Sequence, residues 1–101
     1  MIGALGSAAS GLRDAFVRLE VAAHNVANVD TPGFAPSRVV SLEARGGGVV
    51  PTVPADPPLV PGVDLATELI GLIVARIAAA ASAAAVRTAA EVEGALVDRL
   101  G

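Results

Sequence analysis

Apolar residues recur along this chain at helical spacing in two blocks, separated by a stretch where the spacing breaks down. In the first block Ile2, Leu5, Ala9, Leu12, Phe16, Leu19, Ala23 and Val26 alternate steps of three and four, the period of a coiled-coil seam. Arg13, Asp14, Arg18 and Glu20 lie off that seam. Gly3, Gly6 and Gly11 weaken its start, each at about 1 kcal/mol relative to alanine inside a helix. The pattern predicts a helix over residues 1–28. It stops at Asn25 and Asn28, which can satisfy the last carbonyls, followed by Asp30-Thr31-Pro32-Gly33. Pro32 cannot continue a helix, and Gly33 permits positive φ, so a sharp turn is expected there.

Residues 29–63 form the interrupted stretch. Six of the seven prolines and the triplet Gly46-Gly47-Gly48 lie between Phe34 and Val63. Residues 38–44 and 48–53 have strand propensity, and the triplet between them suits a flexible hairpin turn. Pro51 and Pro54 restrict the second arm to an edge or extended segment. A two-stranded hairpin is marginal in water, so this one needs a surface to lie on. Residues 55–62 read as an extended connector.

The second helical block covers 64–101, with Asp64 as N-cap and Glu68 near the positive end of the helix dipole. Leu65, Leu69, Leu72, Arg76, Ala79, Ala83, Val86 and Ala90 follow heptad spacing, and Ala66, Ile70, Ile73, Ile77 and Ala80 form a second stripe beside it. The apolar surface is wider than one partner helix needs. The expected fold is mainly α: long antiparallel N- and C-terminal helices in a coiled-coil-like hairpin, with a small Pro/Gly-rich β-hairpin or extended insert, all in one structural unit. Leu5, Leu12, Phe16, Leu19 and Val26 are expected to pack on Leu65, Leu69, Leu72, Ile73 and Val86.

Composition alters this picture in one respect. Hydrophobic residues make up 53 % of the 101, but 22 are alanine and only Phe16 and Phe34 are aromatic. A small domain with so little bulk and no cysteine for disulfides is stabilised most simply by association. The same inventory removes several functions. One histidine and no cysteine leave no metal site, no cofactor site and no nucleophile–base pair for an enzyme. His24, in the last turn of the first helix, reads as a favourable C-terminal cation. Seven arginines against ten acids form no basic stripe, which argues against nucleic-acid binding. No small-molecule substrate is indicated. Residues 69–86 are long enough to span a bilayer, yet Arg76 near their centre opposes insertion by about 2.5–3.5 kcal/mol. The N-terminus has no positive residue before Arg13 and makes a poor cleavable secretory signal.

One string carries more than its physical reading. Ala23-His24-Asn25-Val26-Ala27-Asn28-Val29-Asp30-Thr31-Pro32-Gly33-Phe34 resembles the N-terminal signature of the bacterial flagellar rod and hook proteins, in which a heptad helix ends in Ala-x-Asn-[Ile/Leu]-Ala-Asn-x-[Asn/Asp]-Thr-Pro-Gly-[Tyr/Phe]. Asn25, Asn28, Thr31, Pro32, Gly33 and Phe34 occupy its turn. Val63-Asp64-Leu65-Ala66-Thr67-Glu68-Leu69 resembles the family's second signature, Val-Asp-Leu-x-x-Glu-[Leu/Met]. Arg38-Val39-Val40, Gly47-Gly48-Val49 and Asp56-Pro57-Pro58 are similar to segments of short proximal rod members. The chain departs from the pattern in the middle of the second helix, where Ala79 and Ser82 stand at the positions of a tyrosine and an asparagine.

The resemblance implies an axial structural subunit of the basal-body rod. Such a subunit would polymerise through its terminal helices with copies of itself and other rod or hook subunits, in support of motility. It implies passage through the flagellar type III export apparatus without a cleaved signal peptide, and residence in the periplasmic rod. Two other readings compete: a divergent secreted helical-hairpin adaptor or effector outside any flagellum, and a membrane-associated protein using residues 69–86.

Overall fold

The computed structural model describes residues 2–54 and 61–100. Its elements are helix α1 (Ile2–Ala27), strands β1 (Val40–Glu43) and β2 (Val49–Thr52), and helix α2 (Leu65–Leu100). The molecule is a long hairpin, 61 × 25 × 14 Å, because its two helices lie side by side rather than folding back on themselves.

The element ends follow from local chemistry. At the start of α2, Asp64 Oδ1 accepts from the backbone N–H groups of Ala66 and Thr67 at 3.1 and 3.4 Å, satisfying donors that have no helical partner. At the end of α1, the Asn28 N–H still reaches the His24 carbonyl at 3.2 Å, and the Asn28 side chain donates to the same oxygen at 2.9 Å. The chain then reverses through Thr31–Phe34, closed by the Phe34 N–H on the Thr31 carbonyl at 3.2 Å. Pro32 supplies the second position and Gly33, at φ +74°, the third, the arrangement of a type II turn. The returning segment is tied to this turn by the Gly62 N–H on the Phe34 carbonyl at 2.8 Å. The expected connector over 55–62 lies largely outside the described residues.

β1 and β2 pair antiparallel with Val40 opposite Thr52 and Glu43 opposite Val49. Pro51 stands opposite Ser41 in a ladder with free outer edges, where a missing N–H is tolerated. The hairpin lies on α1, and its glycine turn differs from the expected flexible one. All three glycines have positive φ (+85°, +102° and +84°). A Cβ on Gly48 would collide with the Ser10 hydroxyl and sit 3.2 Å from Ser10 Cβ, and one on Gly47 would lie 3.1 Å from Ser7 Oγ. The Ser10 hydroxyl accepts the Val49 N–H at 3.1 Å. The triplet is therefore a docked turn: the helix surface leaves no room for a side chain at Gly47 and Gly48, and all three positions need the positive φ that glycine permits.

The helices run antiparallel, and two contacts fix their register: Gly11 beside Ser82, and Asn25 hydrogen-bonded to Glu68. Between those contacts each helix advances by the same number of residues. The positions of α2 that are not exposed are 68, 72, 75, 79, 82, 86, 89 and 93, an unbroken alternation of four and three. Leu72, Ala79 and Val86 stand in this seam as expected. Leu69, Arg76, Ala83 and Ala90 do not; the residues immediately before them, Glu68, Ala75, Ser82 and Ala89, take their places. α1 shows the same half-shift. Leu5, Leu12, Leu19 and Val26 are partly buried, whereas Ala9, Phe16 and Ala23 face solvent and Ala8, Ala15 and Ala22 replace them. Ala15 and Ala75, each 2 % exposed, are the most deeply buried apolar residues described. The shift removes Arg76 from the seam and puts alanine on alanine, which lets the backbones approach closely.

Candidate assembly surface and its polar clasp

Where the end of α1 meets the start of α2, four residues from three segments form a buried polar clasp. Asn25 is fully buried. Its Oδ1 accepts the Ser37 N–H at 2.9 Å, while its Nδ2 donates to the Ser37 carbonyl at 2.9 Å and to Glu68 Oε2 at 3.2 Å. Glu68, only 3 % exposed, receives Arg38 Nη1 on its other oxygen at 2.5 Å. Each buried polar group thereby finds a partner, as it must in a low-dielectric contact. A second link joins α1 to β1: Asp14 pairs with Arg18 at 3.0 Å, and the Ser41 hydroxyl bridges the two side chains.

The turn residues divide between these tasks. Asn25 belongs to the clasp, and Asn28 with Thr31 closes the helix end, the Thr31 hydroxyl donating to Asn28 Oδ1 at 3.1 Å. Thr31, Pro32 and Gly33 are exposed, while Phe34 is half-buried with its ring edge-on to His24 at 5.5 Å. The Asp64 carboxyl is held below its ordinary pKa, first by the Thr67 side chain and then by the Thr67 N–H, with a lesser contribution from the Ala66 N–H, against an opposing desolvation. Among the described residues no cluster of histidine, cysteine or acids could hold a metal ion.

The residues expected to form the helix-pairing and assembly seam fall into two groups. Leu5, Leu12, Leu19, Val26, Leu72 and Val86 are partly buried between the helices. Phe16, Leu65, Leu69 and Ile73 are exposed, Phe16 to 56 %. With Ile70, Val74 and Ile77, the last three cover the outer side of α2 with large apolar side chains that are 43–64 % exposed. Contiguous exposed surface of this kind marks a contact site. Beside it, α1, α2 and the segment entering β1 enclose an open groove of about 500 Å³.

Residues 5–34 match the family described as Flagella basal body rod protein. Over this segment the chain is similar to the flagellar basal-body rod family. No curated protein matches the chain. The matched span covers α1 from Leu5 onward and the whole turn through Phe34, the region whose geometry holds α1 against the start of α2. The family so described is a structural component of the flagellar basal body rather than an enzyme family.

Sequence reasoning overlooked the clasp. By local spacing Glu68 is a dipole partner and Arg38 the start of a strand, and their pairing spans 30 residues of chain. A usable signal existed: acid and amide at otherwise apolar seam positions, one residue before Leu69 and Val26, are tolerated only when they meet.

Proposed function

We propose that the protein is an axial structural subunit of the flagellar rod that polymerises through its two helices, with itself and with other rod or hook subunits, after export through the flagellar apparatus without a cleaved signal. The carrying observation is the large apolar surface left outside the intramolecular seam: Phe16 on α1, and Leu69, Ile70, Ile73, Val74 and Ile77 on α2. Alanines take the most buried apolar positions of the helix pair, while these six large side chains stay outside it. Residues 5, 12, 16, 19, 26, 65, 69, 72, 73 and 86 act as the helix-pairing and assembly seam, and the turn from Asn25 to Phe34 fixes the angle at which α1 leaves it.

A membrane reading draws on the same surface. α2 is long and apolar enough to cross a bilayer, with a window of mean hydropathy 2.1 of which 6 % is buried. The rod reading accounts in addition for the match over residues 5–34, and it does not require Arg76 to enter hydrocarbon. Sedimentation velocity over a hundredfold concentration range tests it. The expected result is growing assemblies that Ile73→Glu and Ile77→Glu abolish while helix content is unchanged. In cells, the protein should be recovered with purified basal bodies. A monomer at every concentration, or retention in membranes after carbonate extraction, would overturn the proposal.

A further inference from the structure

The hairpin has two outer edges, and they differ. Pairs along an antiparallel ladder alternate between those that exchange both backbone bonds and those that exchange none. The Val49 N–H goes to the Ser10 hydroxyl, so Val49 and its partner Glu43 are of the second kind, as are Pro51 and Ser41. On β2 the outward positions are therefore closed: Ser10 holds the N–H of Val49, and Pro51 has none. On β1 the N–H and carbonyl groups of Ser41 and Glu43 point away from β2. No backbone bond from another described segment reaches them. Such groups recur at every second residue, about 6.8 Å apart, a spacing that an extended chain matches.

That open edge runs beside the groove between α1 and α2. Ser37 is bonded to Asn25, Ser41 to Asp14 and Arg18, and Gly48 abuts Ser10, so the segment from Ser37 to the turn follows α1 backwards along its axis. Asp14 and Arg18 line the groove and Ser10 does not, which puts β1 between β2 and the groove. The groove has Gly11 and Ala15 in its floor, Ile70 and Val74 as an apolar wall, and Arg18 and Arg38 on the side of β1. Both arginines are ion-paired, but asymmetrically: their side chains are 43 % and 49 % exposed, while Asp14 and Glu68 are 16 % and 4 % exposed. A guanidinium has five N–H donors, and the bonds to Asp14, Ser41, Ser37 and Glu68 leave several of them free. The hairpin face turned away from α1 is apolar, with Val40, Leu42 and Val50 exposed.

We infer that an extended segment of a partner protein, alternating apolar and acidic residues, adds to β1 as a third, antiparallel strand over the groove. Its backbone satisfies Ser41 and Glu43. Acidic side chains opposite Val39 and Ser41 face Arg18 and Arg38, their methylene stems lying on Ile70 and Val74. The apolar residues between them continue the face of Val40, Leu42 and Val50. The lengths agree: six extended residues cover about 20 Å, and the groove follows α1 from Gly11 to Asn25, about 21 Å. This docking holds whether or not the outer face of α2 drives assembly.

The probe is a fluorescein-labelled peptide, Thr-Val-Glu-Val-Glu-Val, whose polarisation is read against the full-length chain. Ile73→Glu and Ile77→Glu, both exposed and outside the groove, keep that chain from assembling. Saturable binding is expected. N-methylation of both glutamates, whose N–H groups face β1, should weaken it at least tenfold, and N-methylation of the valines should leave it unchanged. Lysine in place of the glutamates should also cost at least tenfold. Val74→Glu, at an exposed position of the groove wall, should weaken binding at least fivefold. In the nitrogen-15-labelled complex the Ser41 and Glu43 amides should exchange at least tenfold more slowly than in the free chain. No binding at millimolar peptide, equal effects of the two methylation patterns, indifference to Val74→Glu, or unprotected Ser41 and Glu43 amides would overturn the docking. Equally tight binding by a peptide with the sequence of residues 38–45 would make the occupant a second copy and overturn the partner's stated chemistry.

Discussion

Replacing Asn25 with alanine removes the centre of the clasp without touching the apolar seam. Three hydrogen bonds are lost, at 2.9, 2.9 and 3.2 Å. The Ser37 N–H is half-buried and can recover some water, so it costs about 1 kcal/mol, the low end for an unsatisfied group; the Ser37 carbonyl keeps its bond from Arg38 Nη1 at 3.2 Å and loses only the net worth of one hydrogen bond, about 1 kcal/mol. Glu68 is charged and almost completely buried, and losing its amide donor costs about 2 kcal/mol. The expected loss is about 4 kcal/mol, a large share of the 5–15 kcal/mol by which domains are stable. Urea unfolding followed by circular dichroism at 222 nm measures it, provided the slope with denaturant is unchanged. Asn28→Ala is the internal comparison, because its bonds to the His24 carbonyl and Thr31 are solvent-exposed and are worth about 1 kcal/mol. Asn25→Asp sharpens the test. It places an oxygen where Nδ2 faced Glu68 Oε2, so it should destabilise at neutral pH at least as much as alanine does. A loss below about 1 kcal/mol for Asn25→Ala, or no difference from Asn28→Ala, would refute the assignment of the clasp as the joint between α1 and α2.

Further outcomes follow from the turns and the cap. Gly48→Ala must adopt φ +84° and displace Ser10, so it should lose about 2–3 kcal/mol in urea unfolding, whereas Gly46→Ala, at φ +85° with open space around it, should lose only the conformational part, about 1–2 kcal/mol. Gly33→Val should destabilise the Thr31–Phe34 turn, and Gly33→Asn should be tolerated, because asparagine enters the left-handed region and a β-branched side chain does not; thermal melts of the two variants make the comparison. Asp64 has a lowered pKa in the folded chain, so its carboxylate contributes stability above its ordinary value of about 3.9 and loses it as pH falls through the lower folded value. Asp64→Asn keeps a capping oxygen but does not titrate; its melting temperature should therefore fall less steeply than that of the parent below pH 4, and identical pH profiles would count against the cap's contribution.

Local chemistry was fully legible in the residue order. Asp64 as N-cap, Thr31-Pro32-Gly33 as a turn with positive φ at Gly33, two strands on either side of a glycine triplet, and two helices at heptad spacing all depend on residues within a few positions of one another. Rotation of the helices about their axes was not legible to the same degree. Heptad spacing specifies a period and a partner-facing side to within about one residue, and at that resolution Ala9, Phe16 and Ala23 on α1 serve as well as Ala8, Ala15 and Ala22. Three interactions between distant segments select the second set. Alanine opposite alanine brings the backbones close, Asn25 must reach Ser37 and Glu68 across the joint, and the docked turn at Gly47 and Gly48 occupies the side of α1 that carries Ser7 and Ser10. The consequence for function comes from the same choice. By itself the sequence determined that this chain has more apolar helix surface than one pairing can cover; the tertiary structure decided that small residues close the pair, leaving Phe16, Ile70, Ile73, Val74 and Ile77 facing outward, because burying Asn25 and Glu68 together is possible in only one rotation of the helices.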